Sequence, residues 1–109
     1  MADDRIAEFH AAVNDRFGFL FERGFVVTDA QSLGDRYGSV AFHSPTVDIE
    51  IGWDAYDGCL DVDMNGKNVW YMLREAGVWN LPGYAGYALD SMKHGLDRIA
   101  DFLKARLTN

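Results

Sequence analysis

The sequence predicts an α+β domain: an N-terminal helix, a four-stranded antiparallel meander sheet with helices on one face, a short helix and a long C-terminal helix. Three observations carry this reading. Apolar residues recur every three or four positions over residues 3–23 and 87–107, they alternate with polar residues over 46–65, and a glycine or polar turn separates most runs. A length of 109 residues suits one packed core rather than two.

Residues 3–23 place Ile6, Phe9, Val13, Phe17, Leu20 and Phe21 at the spacing of one helix face. Gly18 weakens the helix interior by about 1 kcal/mol relative to alanine, so burial of the aromatic stripe has to compensate. Gly24 suits the left-handed residue that ends a helix, with Phe25 folding back on Leu20 as in a Schellman cap. His10 flanks the stripe without a companion ligand nearby and reads as a structural histidine.

Residues 25–30 form a β-rich run, 31–36 a polar turn and 37–43 a second strand. Ser44-Pro45 then leads tightly into the most regular stretch of the chain, TVDIEIGW, DAYD and GCLDVDMN, which reads as a β-hairpin. Setting Trp53 opposite Gly58 pairs Ile51 with Leu60, Ile49 with Val62 and Val47 with Met64 on an apolar face. The same register sets Glu50 against Asp61 and Asp48 against Asp63, and each such like-charge pair costs roughly 0.2 to 1 kcal/mol. Val40 and Phe42 then lie beside Ile49 and Val47, while Tyr37, Ser39, Ala41 and His43 join the acidic face.

Beyond Asn65-Gly66, residues 68–76 are expected to form a short helix with Val69, Met72 and Leu73 as its contacts, closed by Gly77. The aromatic stretch 78–87, with Trp79, Leu81, Tyr84 and Tyr87, is expected to cover the core. Leu89, Met92, Leu96, Ile99 and Leu103 form the stripe of the last helix.

Charge is unevenly distributed. Residues 25–66 hold eight acids against Arg36 alone, which accounts for the whole net charge of −7; the remainder has nine acids and nine bases. Such a field repels nucleic acid and anionic membrane and favours cations or a basic protein surface. The longest uncharged segment, 76–89, is interrupted by Asn80, Pro82 and three glycines and falls short of the roughly 20 apolar residues of a membrane helix. The opening MADDRIAEF is unlike a secretory signal, and a lone Cys59 permits no internal disulfide, so a cytoplasmic location is expected.

Asp61, Asp63, Asn65 and Gly66 spell D-x-D-x-N-G, the first half of a calcium loop. The twelfth position, where a glutamate should close the shell, is Met72, so a calcium site on Asp61, Asp63 and Asn65 is kept as an alternative to a strand running into an Asn-Gly turn. Cys59 shares the parity of Asp61 and Asp63, which disfavours a thiolate. His43 and Asp48 face each other only as an exposed pair, and no histidines or cysteines fall at zinc spacing. These features predict neither an enzyme nor a cofactor. What remains is a binding surface: Asp48, Glu50, Asp61 and Asp63, bordered by Tyr37, Tyr56 and the loop acids Asp54 and Asp57, a combination suited to capturing a protein. A small-ligand pocket beneath the loop 78–87 is a further alternative.

The helix-to-strand junction FLFERGF, the acidic meander and the closing helix LDSMKHGLDRIADFL together resemble small acidic bacterial immunity-type proteins of polymorphic toxin systems. That resemblance implies stoichiometric binding of a cognate toxin domain without catalysis. It supplies no functional residues.

Overall fold

The described part of the stripe predicted over residues 3–23 folds as two helices. A computed structural model describes residues 5–34, 36–56, 59–68 and 89–107; α1 spans Arg5–Arg16 and α2 spans Phe19–Glu22. The break falls at Phe17-Gly18, where the Leu20 N–H donates to the Phe17 carbonyl (3.0 Å) and the Phe21 N–H to the Gly18 carbonyl (3.1 Å), the tighter winding of a 3₁₀ turn. Ile6, Phe9, Val13, Phe17 and Leu20 are buried as their spacing requires, whereas Phe21 emerges half exposed. The predicted stop is present in full. Gly24 has φ +89°, the Phe25 N–H donates to the Leu20 carbonyl (3.0 Å), and the Gly24 N–H donates to the Phe21 carbonyl (3.2 Å), which together form a Schellman motif.

The sheet has five antiparallel strands in sequential order: β1 Val26–Leu33, β2 Tyr37–His43, β3 Asp48–Asp54, β4 Cys59–Met64 and β5 Lys67–Asn68. The fifth is a correction. Asn65 (φ 53°) and Gly66 (φ 81°) both take left-handed backbone, which suits a two-residue hairpin turn, so the chain returns as a strand at Lys67 instead of entering a helix at Asn68. The rest of the expected short helix and the aromatic stretch 78–87 lie outside the described residues. A second correction concerns β1, which runs through Gln31, Ser32 and Leu33, residues the sequence assigns to the turn. It is an edge strand, exposed along its length and kinked by a bulge at Thr28.

One face of the sheet carries Val40 and Phe42, Ile49, Ile51 and Trp53, and Leu60, Val62 and Met64, all buried. The helices lie on that face. α1 rests on β2, and α3 (Leu89–Arg106) runs beside α1, tied to it by Arg16 Nε–Asp97 Oδ1 (2.6 Å) and Lys93 Nζ–Glu8 Oε1 (3.3 Å). Met92, Leu96, Ile99 and Leu103 face the core as predicted. His10 is held structurally, its Nε2–H donating to the Gln31 carbonyl at 3.0 Å.

The approach of α1 to the sheet depends on Gly38. A Cβ there would sit 2.7 Å from Ile6 Cγ2 and 3.1 Å from Phe9 Cδ2. Gly38→Ala is therefore expected to force α1 outward and cost about 1 to 3 kcal/mol, the usual penalty of overpacking. Urea unfolding followed by circular dichroism measures it.

Candidate functional site

The hairpin of β3 and β4 pairs Trp53 with Leu60, Ile51 with Val62 and Ile49 with Met64, two residues away from the register expected from sequence. The turn chemistry explains the difference. Asp54 stays in the strand, and its Oδ1 accepts the Tyr56 N–H (2.9 Å), while the Ala55 N–H donates to the Arg36 carbonyl (2.7 Å); the loop thus begins after Asp54 instead of before it. A shift of two leaves every side chain on its expected face. It does change the partners. Glu50 faces Asp63, Asp61 faces Gly52, and Asp48 is joined to Asn65, whose N–H donates to the Asp48 carbonyl and whose Oδ1 accepts the Asp48 N–H (both 2.9 Å). Neither expected like-charge pair, Glu50 with Asp61 or Asp48 with Asp63, forms; the shifted register instead sets Glu50 directly against Asp63.

The outward face assembles from all five strands. Asp29, Asp48, Glu50, Asp54, Asp61 and Asp63 share it with Tyr37, Ser39, Ala41 and His43. Asp29 and Gln31 belong to this face because β1 is longer than its β-rich start suggests; Gln31 Nε2 donates to Asp29 Oδ2 at 2.6 Å. His43 Nδ1 contacts Asp48 Oδ1. Between them and Glu50, Asp63 and Gly66 lies a shallow groove of about 340 Å³. Tyr56 projects from the β3–β4 loop, 68% exposed, with the Arg36 guanidinium 4.7 Å from its ring centre. Asp57 lies outside the described residues.

Tyr37 opens β2 at one end of the sheet. Its ring lies across β3 where Gly52 has no side chain, and any Cβ at Gly52 would overlap the Tyr37 hydroxyl. Burial, followed by the charges of Glu50, Asp61, Asp63 and Asp54, pushes its phenol above the ordinary value. Asp61 is displaced in the same direction. Its carboxyl is partly withdrawn from water and stands near the charges of Asp63 and then Asp54; these raise its pKa, while a hydrogen bond with Asn68 pulls the other way. Gly52 and Asn68 were not legible as site residues. The first acts by lacking a side chain, and the second lies in a strand too short for alternation to show.

A carboxyl whose pKa rises on folding destabilises the fold when it is charged. The penalty is complete above the folded pKa and fades as the pH falls through it toward the unfolded value, near 3.8. Asp61→Asn is accordingly expected to be more stable than the parent at pH 7, by less than about 1 kcal/mol because solvent screens the site. In paired urea titrations the difference should shrink as the pH is lowered and close only below the unfolded value near 3.8.

The calcium motif is drawn into the hairpin. Asp61 and Asp63 alternate along β4, and the Asn65 side-chain oxygen is engaged by the Asp48 N–H. Among the described residues, no three His, Cys, Asp or Glu side chains converge as a metal site, and no helix is long and apolar enough to cross a membrane. Comparison of the chain with protein-family models, curated proteins and solved structures gave no match.

Proposed function

We propose that the protein is a non-enzymatic binding module, an immunity-type inhibitor in the cytoplasm that captures a basic toxin or nuclease domain on the outer face of its sheet. The observation that carries this reading is the directly facing pair Glu50 and Asp63, kept within a face of six acids although either amide would relieve the repulsion. Retaining an unfavourable pair at the centre of a one-sign surface is explained by a cationic partner that neutralises it on binding. Tyr37 and Tyr56 add aromatic contact area toward one end of the same surface. The breadth of the face, with outward side chains contributed by successive strands of the sheet, suits a protein partner.

The test is affinity capture from source cells on immobilised protein, with a variant carrying Asp48→Asn, Glu50→Gln, Asp61→Asn and Asp63→Asn run in parallel. A cationic protein retained by the parent and lost by the folded variant supports the reading. Equal retention by both eliminates it.

A further inference from the structure

A second surface has the opposite character. At one end of the molecule, the end of α2, the β2–β3 and β4–β5 turns and the end of α3 border an open cleft of about 780 Å³. Among the described residues three bases line it, Arg23, Lys67 and Arg106, and no acidic side chain does, in a chain of net charge −7. These bases come from segments remote in sequence, so only the fold brings them together. Phe25, Val47 and Met64 supply apolar lining between them, with Phe25 and Met64 buried.

The charges there are differently engaged. Arg23 Nη1 donates to the Leu107 carbonyl at 2.6 Å, which holds the guanidinium in place and occupies a carbonyl at the end of α3 that would otherwise repel an anion. The Lys67 and Arg106 side chains have neither an ion-pair nor a hydrogen-bond partner among the described residues. One wall is also pre-formed. The Ser44 N–H and Oγ–H both donate to the Val47 carbonyl (2.9 Å each), and the Val47 N–H donates back to Ser44 Oγ (3.0 Å), closing the turn at residues 44–47. A site whose wall is already ordered pays little conformational entropy on binding.

We propose that this cleft binds an amphiphilic organic anion, with a carboxylate or phosphate head held by Lys67 and Arg106 and an apolar body lying on Phe25, Val47 and Met64. Bases without acidic partners beside apolar lining select for both parts of such a molecule. An inorganic anion reaches only the bases, and a neutral amphiphile leaves them unpaired. The volume lies within the range of roughly 300 to 1,000 Å³ usual for small-molecule sites. The inference does not depend on the acidic face, which is formed by other residues.

Octyl phosphate, octanoate, octyl glucoside and inorganic phosphate, each well below micelle-forming concentration, are titrated into the full chain, with binding followed by amide NMR shifts and the thermal midpoint. Saturable binding of octyl phosphate or octanoate is expected, and the tighter of the two identifies the head group. Octyl glucoside and inorganic phosphate should bind at least tenfold more weakly. Lys67→Gln combined with Arg106→Gln should weaken the anionic amphiphile at least tenfold while leaving the circular dichroism spectrum unchanged. Should that pair fail to fold, Arg106→Glu alone is expected to give the same loss. Octyl glucoside binding equally well, or affinity retained by the folded base variants, overturns the proposal. Inorganic phosphate matching octyl phosphate overturns it as well, because the apolar lining would then play no part.

Discussion

Trp53→Ala is expected to lower the stability of the fold by about 3 to 5 kcal/mol, the range for truncating a fully buried aromatic side chain. For a domain of this size each kcal/mol shifts the thermal midpoint by roughly 4 °C or more. Trp53 has no exposed surface and is the largest of the fully buried side chains among the described residues. The Phe9 ring stacks against it at 6.1 Å, and the Arg5 guanidinium stands 5.2 Å from its centre, so truncation also removes a contact through which α1 meets β3. Its indole N–H is buried with no hydrogen-bond partner among the described residues. An unmet buried donor costs about 1 to 3 kcal/mol, and phenylalanine removes that cost along with part of the volume. Trp53→Phe should therefore lose less than half of what Trp53→Ala loses, in the same urea titration. Equal losses would mean that the indole nitrogen is needed and that burial alone does not account for the residue.

Side-chain facing was legible where register was not. Alternation through Val47, Ile49 and Ile51 and through Leu60, Val62 and Met64 assigns each residue to a face, and a slip of two positions preserves that assignment. Register depends instead on where the loop begins. There Asp54 was read as a loop residue, whereas its carboxylate binding the Tyr56 N–H makes it the last residue of the strand. The same limitation hid β5, since two residues, Lys67 and Asn68, show no periodicity. In β1, the polar run Gln31-Ser32 looked like a turn because an edge strand with both faces in water needs no apolar alternation.

The acidic face was largely visible as a set of residues and much less so as a geometry. Asp48, Glu50, Asp61 and Asp63 share one parity in the sequence, and Tyr37 follows once β2 is aligned. That Tyr37 lies over Gly52 depends on a diagonal contact between strands, which no spacing rule along one strand contains. The cleft of Arg23, Lys67 and Arg106 was harder still. Its members lie 44 and 39 residues apart in sequence and meet only because a Schellman turn, a two-residue hairpin and a helix end come to the same edge.

Neutralising Asp48, Glu50, Asp61 and Asp63 together is expected to change folding and binding in opposite directions. Removing four negative charges takes the net charge from −7 to −3. The fold should gain from relief of the Glu50–Asp63 pair, worth about 0.2 to 1 kcal/mol. Association with a cationic partner should slow, by roughly 10 to 1,000-fold at low salt, because the face loses the field that steers encounter. For the parent, raising the salt concentration should abolish most of that rate advantage; the variant should respond little, having little field left to screen. Stopped-flow association at two salt concentrations, paired with urea melts, measures both effects. A face kept acidic only for solubility would give the stability gain while leaving the rate and its salt dependence unchanged. Opposite signs in the two measurements are what distinguish a surface held in tension for a partner from one that is merely solvated.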